Sequence, residues 1–471
     1  MRHRSHHHSL QFGSIQFCSI LIGPILASAA LLVTGCGGNR TTTTQHDWVW
    51  QGGSQNPTQP GVYGSQEQPA TQNIPGARFG SACWTDIQGN FWLFGGIGVV
   101  SQQSIGSLSD VWRYSPSNRQ WTWVSGPQQA NVQPVYGTKG VASTSNIPSG
   151  RTLAQTWVDL QGNFWLFSGG AFSDLWKFSP SSGEWTFMGG DTNLPTNAPN
   201  KGMYGTLGQP SPSNWPGSRS QAATWTDAEG NLWMYGGGGH DSQGIGGLLG
   251  DLWEYSPSIG EWTWMGGSPI QGAPSVYGQK GVASASNTPG ARDGSLFWSN
   301  GKGDVWLFGG GLTADEVGTG NDLWKYSNGE WTWIAGSKNI NQLGIYGSQG
   351  NPSPSNNPGS RTNSTTWMDE QGNLWLFGGN GLASQPSFFV ELSDLWEFSN
   401  GQWIWVGGPN TVVDLGNYGQ LGVSNASNLP PARSYACGWV DQSDQLWLFG
   451  GSAGLDFSTI TWFNDLWEYT P

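Results

Sequence analysis

The chain has 471 residues, with 18 Lys and Arg against 31 Asp and Glu, and a formal net charge of −13 at pH 7. It has no basic run, which excludes nucleic acid as an expected partner because phosphate binding requires clustered positive charge. We therefore expect the acidity to act mainly on solubility.

The chain begins with a segment typical of export signals. Residues 1–4 are basic, residues 15–33 are mostly apolar, and small residues precede Cys36. This arrangement resembles a bacterial lipoprotein signal, which implies a signal peptide over residues 1–36 and lipidation of Cys36. A plain signal peptide or a single membrane anchor is the alternative. Residues 37–46 would form a polar tether, and we expect a protein that is lipid-anchored in a bacterial envelope, at the outer membrane, or secreted.

From Arg78 to its end the chain repeats one pattern six times. In the clearest copy Arg219 is followed by Trp225, an Asp-x-x-Gly-Asn turn, a glycine pair, an Asp-Leu-Trp run and a Trp-Thr-Trp run. Short aromatic and apolar runs between turn residues predict four β-strands, a to d, in each copy. The repeats have no helical period, so the sequence predicts an all-β fold.

The two ends of the chain supply complementary parts of one copy. Residues 47–53 have the pattern of a strand d without strands a to c, and residues 465–469 have that of a strand c without a strand d. Pairing of the two would remove an open sheet edge. The sequence therefore predicts that residues 47–471 form a six-bladed β-propeller closed by an N-terminal strand d.

The repeat resembles the kelch motif, with a glycine pair ending at Gly237 and with Tyr255 and Trp262 in the motif's aromatic positions. The resemblance spans residues 48–471. It implies a propeller whose ligands bind the face formed by the d–a and b–c connections. Kelch repeats run to about 50 residues, whereas the recurring arginines here are 73, 68, 73, 69 and 72 residues apart. The additional length lies in the d–a connection, where a Tyr-Gly pair begins 15 residues before each arginine.

The b–c connections are the least repetitive segments. Five have 11 to 14 residues and the second has three, which predicts a notch in the rim beside the second blade. Aromatic rings beside acids and amides suit a sugar, since a ring stacks on a pyranose and polar groups fix its hydroxyls. The alternative is that these rings only cover the ends of the blades. The candidate ligand-binding residues are His240, Asp315, Glu316, Phe388, Phe389 and Trp462.

One arginine begins each strand a, and one aspartate begins each strand c, at the same face. Repetition in every copy favours a ring of Arg–Asp pairs. The other interpretation is an arginine-lined central mouth for an anionic ligand, because strand a is innermost. The arginines are Arg78, Arg151, Arg219, Arg292, Arg361 and Arg433, and the aspartates are Asp110, Asp174, Asp251, Asp322, Asp394 and Asp465.

The chain offers little for metal chemistry. Outside the leader it has only His46 and His240, so it cannot match the copper site of galactose oxidase, whose blades it resembles, and we expect no metal and no cofactor. Aspartates in the a–b turns suit capping of their own turns better than calcium binding.

Cys83 and Cys437 lie on strand a of the first and last copies, five and four residues after their arginines. An oxidising envelope would permit a disulfide. The offsets differ by one residue, however, so the side chains should leave opposite faces of their strands. We expect two free thiols.

These observations favour a monomeric, non-catalytic protein that binds a glycan or an envelope or extracellular protein through its loop-rich face, and that meets a membrane only through its lipid. The alternative is a carboxylate-dependent sugar-modifying enzyme, an epimerase or a hydrolase, with Glu316 or Glu391 as its acid or base.

Overall fold

The computed structural model describes residues 46–101, 103–192, 200–313, 317–385, 389–411, 415–454 and 460–471. These residues form β-strands, turns and connections, as the sequence predicted. No helix in the described part of the chain is long and apolar enough to cross a membrane.

The strands follow the repeat. Strand β1 (Trp48–Gly52) precedes the first copy. The first copy contains β2 (Arg78–Phe79), β3 (Ala82–Thr85), β4 (Phe91–Phe94), β5 (Ile97–Ser101), β6 (Ser104–Ser107), β7 (Val111–Ser115) and β8 (Gln120–Ser125). The second contains β9 (Ala142–Ser143), which precedes its arginine, and β10 (Gln155–Val158), β11 (Phe164–Phe167), β12 (Asp174–Ser179) and β13 (Glu184–Gly190). The third contains β14 (Arg219–Ser220), β15 (Ala223–Thr226), β16 (Leu232–His240), β17 (Gly246–Ser256) and β18 (Glu261–Gly266).

The last three copies follow the same plan. The fourth contains β19 (Arg292–Asp293), β20 (Leu296–Ser299), β21 (Val305–Thr313), β22 (Val317–Ser327) and β23 (Glu330–Ala335). The fifth contains β24 (Arg361–Thr362), β25 (Thr365–Met368), β26 (Leu374–Gly381), β27 (Val390–Ser399) and β28 (Gln402–Gly407). The sixth contains β29 (Cys437–Val440), β30 (Leu446–Phe449), β31 (Ser452–Ala453), β32 (Thr461–Trp462) and β33 (Leu466–Tyr469).

Within each copy the predicted strands a to d are antiparallel neighbours, as in the orders β3-β4-β7-β8 and β15-β16-β17-β18. Strand β1 lies antiparallel to β33, with Trp48 opposite Tyr469, so the sheet of the last copy takes its outer strand from the beginning of the described chain. The result is a set of antiparallel sheets, mostly of four or five strands, that is consistent with a β-propeller.

The core lies between the sheets and is largely aromatic. Each of the six large clusters of buried apolar side chains joins two consecutive copies, and one of them joins the sixth copy to the first. Phe91 of the first copy stacks on Trp439 of the sixth at 5.1 Å, and Trp84 of the first stacks on Phe164 of the second at 5.1 Å. A large aromatic side chain buries about 150–250 Å², which explains how sheets without covering helices form a stable core.

The a–b turns show why the Asp-x-x-Gly-Asn-x-Trp pattern recurs. In the third copy Asp227 Oδ1 accepts hydrogen bonds from the backbone N–H groups of Glu229 and Asn231 at 3.0 and 2.8 Å. Its Oδ2 accepts one from Trp233 Nε1 at 2.7 Å. The aspartate thus caps its own turn and orients the strand b tryptophan, which confirms the capping interpretation.

The long d–a connections cover the outer edges of the sheets. Asn214 donates from Nδ2 to the carbonyl oxygens of Gln209 and Trp262 at 2.9 and 3.0 Å, and this ties the connection to strand β18. Gly205 has a φ of 60°, and a Cβ there would lie 2.2 Å from Asn214 Oδ1, so the Tyr-Gly pair requires its glycine. Equivalent contacts recur through Asn73, Asn146, Asn287, Asn356 and Asn428.

Candidate functional site

The six recurring arginines are locked inside the fold. Arg219 makes a two-pronged contact with Asp251, from Nη1 to Oδ1 at 2.7 Å and from Nη2 to Oδ2 at 2.9 Å. Its remaining donors bond the carbonyl oxygens of Gly217 and Gly236. All six arginine side chains are at most 3% exposed, and all six make the same pair, at 2.6 to 3.1 Å.

A tyrosine and a tryptophan complete each pair. Asp251 Oδ2 also accepts hydrogen bonds from Tyr204 Oη and Trp253 Nε1, both at 2.7 Å. Burial alone would raise the pKa of Asp251, but the charge and hydrogen bonds of Arg219 hold it below its ordinary value. Burial and the charge on Asp251 raise the pKa of Tyr204. The tyrosine is that of the Tyr-Gly pair, and its counterparts are Tyr63, Tyr136, Tyr277, Tyr346 and Tyr418.

This burial decides between the two interpretations of the arginines. The pairing interpretation accounts for Arg78, Arg151, Arg219, Arg292, Arg361 and Arg433 alike. Their guanidinium groups do not line an open mouth, because each is enclosed and already bound to a carboxylate. An anionic ligand therefore finds no free arginine among them.

The residues two positions after each arginine are joined by backbone hydrogen bonds around a common axis, and we call them the axial belt. They are Gly80, Leu153, Gln221, Gly294, Asn363 and Tyr435. Each has a left-handed φ between 57° and 65°. The backbone N–H of each bonds the carbonyl oxygen of the belt residue in the preceding copy at 2.8 to 3.2 Å, and Gly80 N–H bonds Tyr435 O.

Side chains of the belt meet over the axis. Gln221 Nε2 donates to Asn363 Oδ1 and to Tyr435 Oη, both at 3.3 Å, which joins the third, fifth and sixth copies. A space of about 230 Å³ extends from the belt along the innermost strands. It is lined in part by Cys83, Thr156, Thr224 and Phe297.

An aromatic wall stands on one side of the belt. Phe79 lies 5.8 Å from Tyr435 and 5.9 Å from Trp462, measured between ring centroids. All three rings are half-buried. Trp462 was a predicted binding residue, whereas Phe79 and Tyr435 were not. A partly open group of aromatic rings offers a ring face on which a sugar can stack.

Two carboxyl groups act electrostatically on Tyr435. Burial raises the pKa of Glu391 to about 7, against the lowering effects of Ser434 and Asn380. Burial also raises the pKa of Asp293. The pKa of Tyr435 is raised mainly by burial and further by the charges of Glu391 and Asp293. We call the set Phe79, Gln221, Asp293, Asn363, Glu391, Tyr435 and Trp462 the mouth.

Of the other predicted residues, His240 and Phe389 are described. His240 ends strand β16, and its Nδ1 lies 2.9 Å from Ser218 Oγ. Phe389 is 37% exposed on the fifth b–c connection, two residues before Glu391. Cys36, Asp315, Glu316 and Phe388 lie outside the described residues.

The second copy has a different rim from the others. Strand β12 begins at Asp174 only four residues after the glycine pair, and no extended b–c hairpin precedes it. Phe172 of this short connection lies under the Arg151 guanidinium at 4.6 Å. Trp215 donates from Nε1 to Ser173 O at 2.9 Å and closes the connection from the side. The predicted shortening of the rim is therefore present beside this copy.

The expectation of two free thiols is wrong. Cys83 and Cys437 form a disulfide, with their Cα atoms 6.0 Å apart. Each sheet turns one face to the preceding copy and the other to the following copy. Two side chains that lie on opposite faces of their strands in neighbouring sheets therefore point towards each other. Trp84 accordingly packs in the cluster with the second copy, whereas Cys83 packs in the cluster with the sixth.

Sequence reasoning missed the belt, although a signal was present. The residue two positions after the arginine differs among most copies, while the arginine itself and a serine or alanine three positions after it recur. No three His, Cys, Asp or Glu side chains of the described residues are grouped as metal ligands would be. No family model matches the chain, and no curated protein matches it.

Proposed function

We propose that this protein binds a glycan at the mouth, without catalysing a reaction, and that its fold is a closed six-bladed propeller of kelch type. The observation that carries the function is the aromatic wall of Phe79, Tyr435 and Trp462 beside the hydrogen-bonded Gln221 and Asn363. Stacking surfaces next to amides are what a pyranose with its ring of hydroxyls requires.

Three observations support the closed propeller. The inner strands contact one another in the order β3, β10, β15, β20, β25 and β29, and β29 contacts β3. The six aromatic clusters follow the same order. The hydrogen bonds of the axial belt also return to their starting residue.

A glycan is favoured over a protein partner because the aromatic rings and amides that differ between copies lie at the belt, where the surface is narrow. A protein partner would more commonly use a broad rim with a buried apolar centre. We further propose that residues 1–36 act as a lipoprotein signal and that a lipid on Cys36 holds the propeller at the bacterial envelope. Labelling with a radioactive fatty acid, lost in a Cys36→Ala variant, tests the anchor.

The test of glycan binding uses protein that begins at Arg40, which retains every residue that the structure describes. A glycan array is probed with this protein and with a Phe79→Ala, Trp462→Ala variant. Leu415→Ala is the matched control, because it removes an apolar side chain that is 86% exposed outside the mouth. Saturable binding that is lost only in the double variant supports the proposal. Binding equally strong in the double variant places the ligand elsewhere, and an array without binding rejects the glycan.

A carboxylate-dependent enzyme is the second candidate, and the observation that favours it is Glu391. A carboxyl group with a pKa of about 7 can exchange protons efficiently near neutral pH. NMR spectra of a bound glycan over time would show new anomeric signals if the protein acts on it. Turnover lost in Glu391→Gln, with binding retained, would establish the enzyme. Unchanged spectra would favour the binding protein.

A further inference from the structure

We infer that the a–b and c–d turns form a face that lies on a lipid bilayer, and the inference rests on the proposed lipid at Cys36. Three apolar side chains project from these turns. Ile87 and Leu160 of the first two a–b turns are 75% and 62% exposed, and Ile259 of the third c–d turn is 56% exposed. Turns favour Gly, Pro, Asn, Asp and Ser. A group of exposed apolar side chains at the turns of consecutive copies therefore indicates a contact surface.

The a–b turns of neighbouring copies contact one another. A Cβ at Gly162 would lie 3.1 Å from Ile87 Cγ2, and a Cβ at Gly230 would lie 3.0 Å from Leu160 Cδ1, so the turns of the first three copies adjoin. Strands b and c are antiparallel, which places each c–d turn at the same end of its sheet as the a–b turn. The three apolar side chains thus share one face.

Strand β1 begins at the same face. Its first residue, Trp48, pairs with Tyr469, and Tyr469 pairs with Leu446. Leu446 is the first residue of strand b and directly follows the a–b turn of the sixth copy. The segment that precedes β1 in the sequence therefore joins the described chain at the turn face.

The length of that segment determines which face a lipid would hold near the bilayer. His46 follows Cys36 by ten residues. A flexible segment of this length has a root-mean-square span of about 17 Å, and a fully extended one spans at most about 36 Å. Strand β16, with nine residues, alone rises about 30 Å. To bring the loop-rich face to the bilayer, the segment would have to run almost fully extended along a whole sheet, so the turn face is favoured.

A bilayer suits these side chains better than a folded partner does. They project from separate turns, and a fluid interface accepts separate apolar side chains without the shape complementarity that a protein interface requires. The a–b turns of the third to sixth copies have less apolar residues at the equivalent position, namely Ala228, Gly301, Glu370 and Gln442. We therefore expect the first three copies to lie deepest and the fifth to remain in water.

This orientation leaves the mouth accessible. The axial belt precedes β3, β10 and their equivalents in the chain, whereas the a–b turns follow these strands. The belt and the turns thus lie at opposite ends of the innermost strands. With the turns on the bilayer, the mouth opens away from it.

The test places one fluorescent label on the full-length protein in vesicles of phosphatidylethanolamine and phosphatidylglycerol. The only cysteines are Cys18 of the leader, Cys36 and the bonded pair, so an introduced cysteine is the one free thiol of the processed protein. Nitroxide on the lipid chains should quench labels in Ile87→Cys and Leu160→Cys several-fold more than a label in Glu370→Cys, the matched position of the fifth copy. Equal quenching of all three labels overturns the inference.

A triple variant assigns the orientation to the apolar side chains. A label in Ala228→Cys should be quenched in the otherwise natural protein and should return to water when all three apolar turn residues become glutamine. The substitutions are Ile87→Gln, Leu160→Gln and Ile259→Gln. The control changes three apolar residues of the d–a connections that are 45% to 53% exposed, by Met203→Gln, Val276→Gln and Ile345→Gln. The control should leave the label quenched, and quenching that survives the first triple variant overturns the role of these side chains.

The anchor and the orientation can fail separately. If the natural protein floats with the vesicles, Cys36→Ala does not, and the turn labels remain in water, the orientation is refuted and the anchor stands. If neither protein floats with the vesicles, both are refuted. A change in label emission that needs no vesicles and grows with protein concentration would assign this face to a second copy and would also overturn the inference.

Discussion

Removal of the disulfide should weaken the fold more than removal of any single apolar contact at the same place. Replacing Cys83 and Cys437 by alanine opens a link between residues 354 positions apart. In the chain-entropy relation a link across so long a loop restricts the unfolded chain by about 5 to 6 kcal/mol, and removal of native disulfides generally costs about 2–5 kcal/mol. We expect a loss in the upper half of the measured range.

Protein that begins at Arg40 contains no cysteine other than these two. Thiol titration after denaturation therefore reports the bond directly, and should find no free thiol in untreated protein. Urea unfolding, followed by tryptophan fluorescence with and without a reductant, gives the free energy of unfolding. Reductant should destabilise the natural protein and leave the double variant unchanged.

The single variants provide the decisive comparison. Cys83→Ala and Cys437→Ala each break the same bond, so each should cost nearly as much as the double variant, apart from small differences in packing. Two smaller, additive losses, or two reactive thiols in untreated protein, would refute the reasoning. Hydrogen exchange should also quicken in β3 and β29 of the double variant, because these strands carry the bond.

Three further predictions concern the pairs, the belt and the mouth. Asp251→Ala leaves the buried Arg219 without its counter-ion and should lower the free energy of unfolding in urea by about 3–5 kcal/mol; a loss under 1 kcal/mol would contradict the pairing. Gly80→Ala places a Cβ 2.2 Å from a threonine hydroxyl at a φ of 65° and should lower the free energy of unfolding by at least about 2 kcal/mol in the same assay. The control Gly208→Ala has a φ of 70° but no atom within 4 Å, and it should lower this free energy by about 1 kcal/mol. Equal losses in the two variants would show that the belt is not crowded. Burial raises the pKa of Glu391 from 4.5 to about 7, so the folded state holds this proton more tightly than the unfolded chain, and the stability that it confers below pH 4.5 is lost as the pH rises to about 7. Glu391→Gln should remove up to about 3 kcal/mol of that pH dependence, measured by urea unfolding between pH 4.5 and 8, and an unchanged profile would contradict the buried carboxyl.

Local chemistry made the strands and turns predictable. Asp227 caps its turn through atoms of its own neighbours, so the reason for its recurrence is contained in five consecutive residues. The role of Tyr204 was harder to see, because its partner Asp251 lies 47 residues away. The fixed spacing between tyrosine and arginine indicated that their relative positions matter, but only the folded sheet shows that both bind one carboxylate.

The break in strand a could not be predicted from residue type. Gly80, Gly294 and Asn363 accept a left-handed conformation readily, whereas Leu153 and Tyr435 do not. All adopt it because each backbone N–H must reach the carbonyl of the preceding copy to continue the belt. Tertiary hydrogen bonding thus overrides local preference, and strand a is divided into short segments such as β14 and β15.

The disulfide was missed for a related reason. The alternation of side chains along a strand correctly predicts that Cys83 and Cys437 leave opposite faces of their own sheets, but it does not say how those two sheets face each other. The neighbouring sheets of the sixth and first copies present opposite faces to each other. The difference of one position, which argued against a bond, therefore permits it.

Six identical belt residues would present the same chemistry on every side of the hydrogen-bonded belt. The six belt residues, however, have different side chains. Gln221, Asn363 and Tyr435 join the third, fifth and sixth copies through their side chains, while Gly80 and Gly294 offer no side chain. The polar belt side chains thus come from three copies, and Leu153 lies in the second copy, where the b–c connection is shortened. An asymmetric ligand such as one end of a sugar chain fits this uneven distribution better than a symmetric one.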